Sequence, residues 1–478
     1  MNFRMISYIL GWILIFEAIF MSIPFVAALI FGEGVLFALL ISAAICLLFG
    51  VPLTVIKKPV NKHLFSREGF VIVSLSWIVL SLFGALPFFL SGEIPSFIDA
   101  VFETVSGFTT TGASILSDVE SLPKSLILWR SFTHWVGGMG VLVFIMAFLS
   151  LSGGQNLHIM KAESPGPSVS KLVPKVKTTA ILLYAIYFVL TVAEFLLLLL
   201  GRMTVFEALN TAFATAGTGG FGIYNTSMGS FSPYLRVVVT VFMILFSINF
   251  NSYFFLVSRK FKEAFNAEFR AFFLIVVSAI VMITLNIRGM YPSLEAALLD
   301  SSFTVASLIS TTGFSTADFN LWPEFSQTIL VAIMFIGACA GSTGGGIKVS
   351  RIMILFKSMA KELQALVHPK QVKKIKLNGR PIEHEVVRSV NVYMVAYLLV
   401  FTVSVILVSF DNRDLITNFT AVTAAVNNIG PGLALVGPTE NFGFFSPLSK
   451  LVLIFDMLAG RLELFPMLLL FTPSTWKK

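Results

Sequence analysis

The sequence predicts an all-α, polytopic membrane protein in which two N-terminal helices precede four copies of one unit around a pseudo-fourfold central pore. Of the 478 residues, 56% are hydrophobic and only 12% are charged, and the mean hydropathy is +0.89. A soluble domain cannot bury that much apolar surface, so the composition indicates a chain that spans a lipid bilayer. The four copies come from a short segment that recurs along the chain.

Ten apolar segments are long enough to cross a membrane, which takes about 20 residues. They lie near 5–31, 35–56, 69–91, 125–151, 178–201, 233–257, 269–287, 327–355, 387–410 and 447–471. The two cysteines, Cys46 and Cys339, fall in apolar segments and support neither a disulfide framework nor a metal site.

The net charge of +8 is distributed unevenly. Lysine and arginine concentrate in alternate loops, near 57–67, 161–177, 259–270 and 357–388. The positive-inside rule therefore places both termini in the cytoplasm, and the charge is a topology signal rather than a sign of nucleic-acid binding. The longest basic loop, about 357–386, is a candidate docking surface for a cytoplasmic partner.

The recurring segments are too short to span, and each ends in a turn of small residues. They read FIDAVFETVSGFTTTGAS, VFEALNTAFATAGTGGFG, LLDSSFTVASLISTTGFS and LITNFTAVTAAVNNIGPG. They align on Gly112, Gly220, Gly313 and Gly430, and the residues thirteen positions earlier are Asp99, Glu207, Asp300 and Thr417. Four copies in a span, short helix, turn, span arrangement indicate an internal repeat.

Such turns have a physical use in a membrane. Non-helical backbone at membrane depth is tolerated only where it is buried in protein or lines a polar cavity. Four converging turns make a ring of carbonyl oxygens that can replace the hydration shell of an alkali cation, and glycine allows the positive φ that aims them. The candidate ion ligands are Thr110, Thr111, Gly112, Thr218, Gly219, Gly220, Thr311, Thr312, Gly313, Asn428, Ile429 and Gly430.

An acid near the start of three of the short helices favours their N-termini and leaves the negative ends facing the cation. The alternative is that these segments are ordinary loops with incidental Thr-Thr-Gly sequences. The predicted division is an N-terminal two-helix extension followed by four repeats, with boundaries at 1–68, 69–151, 152–258, 259–357 and 358–478.

The motifs SGFTTTGAS, STTGFSTADF, NNIGPGL, LWRSFTHWVGGMG, GACAGSTGGGIK and AGRLELFPMLLLF resemble those of the TrkH/TrkG/KtrB superfamily of potassium-translocating subunits. The extra N-terminal helix pair is similar to the TrkH/TrkG branch. The resemblance implies K⁺ uptake across a bacterial plasma (inner) membrane, with no bound organic cofactor. It also implies a homodimer with a TrkA-type cytoplasmic nucleotide-binding partner. The second and fourth copies lack the Thr-Thr pair. The sequence therefore supports cation passage more strongly than strict selectivity for K⁺ over Na⁺.

The stretch GSTGGGIK lies inside the 327–355 segment. It departs from the phosphate-loop pattern because Ile347 stands where that pattern needs lysine, and it lies within an apolar span. A helix broken at that depth requires a polar cavity. We therefore expect a flexible loop below the turns, to which the resemblance assigns a gating role. Its residues are Gly341, Ser342, Thr343, Gly344, Gly345, Gly346 and Lys348. The alternative is close helix packing through small residues.

Arg461 lies in the last apolar segment, and an arginine inside the membrane is expensive and usually functional. In a cation pathway its charge opposes ion passage. The alternative is a structural ion pair with Glu463 or Asp456. Glu17 and Glu194 are expected to be helix–helix contacts, and His134 a packed, hydrogen-bonded residue.

Two mechanisms remain open. A cation-conducting pore fits four repeats of the same topology. A secondary transporter driven by H⁺ or Na⁺ is the alternative, although such proteins usually have two inverted repeats. The sequence contains no cluster of residues that favours an enzyme.

Overall fold

The structure, a computed structural model, describes residues 1–57, 59, 65–140, 176–369 and 374–477. The chain begins with α1 (Phe3–Phe20), α2 (Ser22–Phe31), α3 (Leu36–Ile56), α4 (Ser66–Gly84) and α5 (Leu86–Leu90). α1 and α3 pack closely because glycines face each other: a Cβ on Gly11 would lie 2.9 Å from the Gly50 carbonyl oxygen. This pair lies within residues 1–68, the range predicted for the N-terminal extension.

Among the described residues, the remaining regular elements are helices apart from one short hairpin. Its helices up to the hairpin are α6 (Phe97–Phe108), α7 (Lys124–Gly138), α8 (Val176–Leu200), α9 (Val205–Gly217), α10 (Pro233–Ser247), α11 (Phe250–Val257), α12 (Phe261–Ala264), α13 (Ala267–Ile287), α14 (Leu294–Ile309), α15 (Glu324–Ile336) and α16 (Val349–Val367). The antiparallel hairpin pairs β1 (Lys376–Leu377) with β2 (Arg380–Pro381).

After the hairpin come α17 (His384–Val408), α18 (Leu415–Val426), α19 (Pro447–Arg461), α20 (Phe465–Leu470) and α21 (Pro473–Trp476). Short 3-10 turns lie at Arg288–Met290, Phe319–Leu321, Ser409–Asp411 and Ala434–Val436. The prediction of an all-α membrane protein is confirmed, with the two-residue strands of the hairpin as a small addition.

Fewer of the predicted spans are continuous helices than the hydropathy suggested. Within the described residues, six helices are long and apolar enough to cross a membrane: Phe3–Phe31, Leu36–Ile56, Ser66–Leu90, Ala180–Leu200, Ala267–Met290 and His384–Asp411. A seventh, α10 with α11, bends by 91°. Hydropathy measures the apolar length of a segment and does not reveal where its helix bends or breaks.

Two further predicted spans are divided. The 327–355 segment is two helices, because α15 ends at Ile336 and α16 begins at Val349. The 447–471 segment breaks after Arg461, where Glu463 (φ 58) and Leu464 (φ 67) adopt left-handed conformations. The 125–151 span is described only to Gly140, and its remainder lies outside the described residues.

The four recurring segments form short helices, here called the pore helices: α6, α9, α14 and α18. They have 12, 13, 16 and 12 residues. At 1.5 Å per residue they are about 18–24 Å long, which is less than the hydrocarbon thickness. Each helix is capped by the side chain of the residue before it, which accepts a hydrogen bond from a backbone N–H of the first turn; the capping residues are Ser96, Thr204, Ser293 and Asp414.

One expectation about the pore helices is wrong. Asp300 is not near a helix start, because α14 begins six residues earlier at Leu294 and carries Glu295 in its first turn. Asp300 instead accepts from the Thr316 hydroxyl at 2.8 Å and pairs with Arg236 at 3.4 Å. It therefore ties α14 to the segment after the turn and to α10. Asp99 and Glu207 do lie in first turns.

Candidate ion pathway

The four small-residue turns share one backbone conformation. We name them turn 1 (110–112), turn 2 (218–220), turn 3 (311–313) and turn 4 (428–430). The first residue of each has a positive φ of 55°, 56°, 62° and 53°, and the glycine two places later has 84°, 76°, 86° and 94°. Four backbone turns of one conformation that converge on one axis can present a ring of carbonyl oxygens to a cation.

This conformation is strained in three of the turns. Thr110, Thr218 and Thr311 are β-branched residues in the left-handed region, where such residues are rare outliers. Each costs of the order of 1–3 kcal/mol and persists only where the surroundings hold it in place. Strain of this kind is repeated at equivalent positions in three of the four turns, and it makes these turns the candidate functional element of the fold.

The four turns form a closed ring. The glycine that ends each turn packs against the middle residue of the next turn, at its carbonyl oxygen. A Cβ added to the glycine would lie 2.0 Å from that oxygen between Gly112 and Gly219, 1.9 Å between Gly220 and Thr312, 2.1 Å between Gly313 and Ile429, and 2.9 Å between Gly430 and Thr111. The cycle returns to turn 1. Only glycine permits this approach.

Side chains behind the ring hold neighbouring turns together. The Asn428 amide donates to the Thr111 hydroxyl at 2.9 Å and to the Met457 carbonyl at 2.9 Å, which joins turn 4 to turn 1. His134 lies between the end of α6 and turn 2. Its Nε2 accepts from the Phe221 N–H at 3.3 Å, and its Nδ1 lies 2.7 Å from the Gly107 oxygen. The prediction of a packed, hydrogen-bonded histidine is confirmed.

A cavity of about 140 Å³ opens on one side of the ring and is lined by all four turn glycines. Its rim is held by polar contacts: the Asn225 amide donates to Asp118 at 2.8 Å, and the Tyr224 hydroxyl donates to Glu207 at 2.5 Å. The Asn225 amide lowers the pKa of Asp118 below its ordinary value. The hydrogen bond to Glu207 raises the pKa of Tyr224 to about 12. Ionised carboxylates around a narrow opening raise the local concentration of cations.

On its other side the ring meets the C-terminal ends of the pore helices. These end at Phe108, Gly217, Ile309 and Val426, directly before the turns. The negative ends of four helix dipoles therefore approach the same region, which favours a cation there.

The glycine-rich segment 337–348 crosses below turns 3 and 4 as a non-helical loop. Its backbone donates from Gly345 to the Thr311 hydroxyl at 2.6 Å and from Gly346 to the Asn427 carbonyl at 3.1 Å. A Cβ on Gly345 would lie 2.2 Å from the Asn427 oxygen. The predicted break in the helix is present, and the glycines allow the loop to contact the ends of α14 and α18.

Two cationic side chains lie at this loop, Lys348, which is buried, and Arg461, which is partly buried. The Lys348 ammonium donates to the carbonyls of Gly344 and Gly345. The Arg461 guanidinium donates to the Thr343 carbonyl at 2.7 Å, and to Gly137 and Gly138 at the end of α7 at 2.5 and 2.7 Å. Both positive charges therefore lie directly below the ring, held by backbone oxygens.

The alternative interpretation of Arg461 as the partner of Glu463 or Asp456 is wrong. Glu463 forms its ion pair with Arg351, and Asp456 accepts from the Ser404 hydroxyl at 2.7 Å. Glu17 is a helix–helix contact as expected, since its Oε1 would lie 2.9 Å from a Cβ on Gly84 of α4.

Sequence reasoning missed the groups that hold the loop ends. The Glu268 carboxylate accepts from the N–H groups of Ala340 at 2.8 Å and Ser350 at 3.1 Å, one on each side of the glycine cluster. The Arg351–Glu463 pair connects α16 to the break in the last span. An acid two residues after Arg461 in an apolar segment was the only signal for that pair. Among the described residues, no group of three His, Cys, Asp or Glu could hold a metal.

Comparison with known proteins agrees with this geometry. A family model described as TrkH, cation transport protein, matches residues 36–478. This chain belongs to the TrkH family. It is therefore a multi-pass membrane transport protein and not an enzyme.

Relatives in the TrkH family match along the whole chain. The Trk system potassium uptake protein TrkH of Escherichia coli K12 is 38% identical over 100% of both chains. The Trk system potassium uptake protein TrkG of the same strain is 33% identical over 99% of both. The crystal structure of the potassium transporter TrkH from Vibrio parahaemolyticus superposes with a TM-score of 0.90 at 35% identity and covers 100% of both chains.

Proposed function

We propose that this protein carries K⁺ into a bacterial cell across the plasma membrane, through the ring of backbone carbonyls formed by turns 1 to 4. The observation that supports this most is the closed ring itself, in which four turns of one conformation, three of them strained, meet below one cavity. Carbonyl oxygens in such a ring replace the hydration shell of the ion. The relatives that match the whole chain are named potassium uptake proteins.

The four turns of the ring differ in sequence, so the ring lacks fourfold symmetry in its side chains. Turns 1 and 3 carry two threonines before the glycine, turn 2 carries Thr218 and Gly219, and turn 4 carries Asn428 and Ile429. The hydroxyl of Thr111 is also occupied by Asn428. We infer fewer well-formed ion sites than in a symmetric filter, so that discrimination against Na⁺ is finite.

The loop 337–348 is the proposed gate. It closes the side of the ring opposite the cavity, and its contacts with turn 3 and Asn427 are a few hydrogen bonds that can be exchanged. Lys348 and Arg461 place positive charge in the ion path. A cation that leaves the ring meets this charge at short range, where the low dielectric makes repulsion strong. Displacement of the loop with both cations opens the path.

The proposed assembly is a homodimer whose cytoplasmic face binds a TrkA-type nucleotide-binding subunit, with both termini on that face. The printed names of the relatives describe components of a Trk system, which supports a partner. α16 connects the loop directly to the basic segment that follows it. A partner that moves α16 therefore acts on the gate without touching the ring. The five-part division into an N-terminal extension and four repeats is part of this proposal.

The experiment that tests the function uses purified protein in proteoliposomes. Current reversal potentials are measured under separate K⁺, Na⁺ and H⁺ gradients. For a pore the reversal potential follows the K⁺ gradient, shifts less with Na⁺ and does not shift with pH. A reversal potential that moves with the H⁺ gradient at fixed K⁺, or that moves with the Na⁺ gradient as strongly as with the K⁺ gradient, would overturn the K⁺-selective pore and favour the coupled symporter instead.

A further inference from the structure

A second cavity lies far from the ring, between α16 and the hairpin. Its volume is about 620 Å³, and its polar lining consists of Lys357, Lys361, Gln364, Lys374 and Lys376. We call it the lysine cavity. Its size is in the range of pockets that hold small ligands or headgroups, about 300–1,000 Å³.

The fold builds this cavity from two elements. Lys357, Lys361 and Gln364 follow one another at helical spacing on one face of α16. The hairpin brings Lys376 to the same place, and the Lys357 ammonium donates to the Lys376 carbonyl at 2.7 Å. This bond fixes the hairpin against the helix, so the lysines are gathered by structure and not only by sequence.

Little negative charge balances these lysines. Lys361 lies 3.7 Å from Glu362, with both side chains exposed to solvent, and such pairs contribute little. Within the described part of the chain, neither Lys374 nor Lys376 forms an ion pair. Four ammonium groups around one concave space make a positive potential that an anion relieves.

The depth of the cavity indicates where such an anion comes from. α16 begins at Val349, directly below the ring. At 1.5 Å per residue, Lys357 and Gln364 lie about 12 and 22 Å further along the helix. Half of the hydrocarbon core is about 15 Å thick. Lysines about 12 to 22 Å along a helix that follows the intramembrane loop are within reach of lipid headgroups.

We propose that the lysine cavity binds a phosphate-bearing anion, and that its source is the headgroup of an anionic phospholipid. Lysine is a compact cation with three donors that suits phosphate oxygens. Basic pockets beside membrane helices hold lipid headgroups in this way. A bound phosphate connects α16 to the hairpin through non-covalent contacts with lysines of both. Since α16 continues from the loop, the lipid holds one end of the proposed gate, although lipid binding itself does not depend on that proposal.

The test compares the wild type with the double variant Lys361→Gln/Lys374→Gln. Lys262→Gln is the matched control, because Lys262 is an exposed lysine of α12 that does not line the cavity. Each purified full chain is titrated with phosphatidylglycerol, phosphatidylcholine or inorganic phosphate. Bound lipid is counted by native mass spectrometry, and the shift in the thermal unfolding midpoint gives affinity.

Phosphatidylglycerol should bind wild type and control equally, and the double variant should bind it roughly tenfold or more weakly, at about 1 kcal/mol per lysine. Phosphatidylcholine should show no such difference. If inorganic phosphate gives the lysine-dependent shift and the lipid does not, the phosphate site stands and its source is soluble. If the double variant binds lipid and phosphate like the control, the proposal is overturned. It is also overturned if the only property lost is capture of a cytoplasmic protein partner.

Discussion

Replacing Gly345 by alanine should displace the intramembrane loop and raise the basal cation flux. A Cβ at this position would lie 2.2 Å from the Asn427 carbonyl oxygen and 3.1 Å from the Asn428 Cβ. The Asn427 oxygen belongs to the capped end of α18, which cannot move without disturbing turn 4. The loop must therefore retreat by about 1 Å to reach van der Waals distance.

The cost follows from the contacts that this retreat breaks. The bond from Gly345 to Thr311, at 2.6 Å, and the bond from Gly346 to Asn427, at 3.1 Å, both require the present position. At about 0.5–1.5 kcal/mol each, the closed conformation loses about 1–3 kcal/mol. That energy shifts the balance toward a displaced loop by roughly 5- to 150-fold.

The assay is Rb⁺ uptake into proteoliposomes without any cytoplasmic partner. Gly34→Ala is the matched control, since no atom lies within 4 Å of a Cβ built there. We expect the control to behave like the wild type, and Gly345→Ala to raise uptake at least severalfold with an unchanged K⁺/Na⁺ ratio. Equal uptake by all three folded proteins would refute the reasoning. A changed ratio without a change in basal uptake would place the loop in the selectivity site instead.

Four further predictions follow from other contacts. Gly313→Ser should reduce discrimination between K⁺ and Na⁺, because a Cβ at φ 86° would lie 2.1 Å from the Ile429 oxygen; an unchanged order of K⁺, Rb⁺ and Na⁺ uptake in folded protein would count against the ring. Arg461→Gln should raise basal Rb⁺ flux severalfold by removing charge and the bond to Thr343, whereas Arg461→Lys should stay near the wild type; reduced flux in both would favour a structural role. Glu103→Gln should lower the free energy of unfolding by about 3–5 kcal/mol, because it removes the counter-charge of buried Arg130, which lies 2.7 Å away; thermal unfolding against the exposed control Glu93→Gln measures this. The Thr417 hydroxyl lowers the pKa of Asp414 below its ordinary 3.8. The stabilisation by this cap of α18 should therefore be fully present above pH 3.8 and be lost as the pH falls further. Asp414→Asn should lose less thermal stability than the wild type between pH 5 and 3, and identical stability–pH profiles of the two proteins would contradict the cap.

The parts of the fold that depend on local pattern could be predicted from the sequence. Apolar length identified the membrane helices, and the spacing of small residues located the four turns. The glycines at Gly112 and Gly313 were predicted to have positive φ, as they do. Each of these signals lies within one stretch of chain, where composition determines backbone conformation directly.

What the sequence could not show depends on contacts between distant segments. Threonine disfavours positive φ, so no local rule predicts the left-handed Thr110, Thr218 and Thr311. Their conformation is imposed by the neighbouring turns. The hydrogen bonds from the backbone N–H groups of Ala340 and Ser350 to Glu268 are equally non-local, since 72 and 82 residues separate the partners. Asp300 was misplaced because alignment on Gly313 does not reveal that α14 is a turn longer than its counterparts.

The closure of the ring also sets an order of events during synthesis. The bond between Asn428 and Thr111 joins residues 317 positions apart. Turn 1 leaves the ribosome early, yet the neighbour that completes its strained backbone is made last. Until the fourth copy is inserted, the first has a gap on one side and its left-handed threonine lacks that support. A nascent chain truncated before residue 428 therefore lacks the turn that packs between turns 3 and 1, and leaves their polar backbone without that cover in the bilayer.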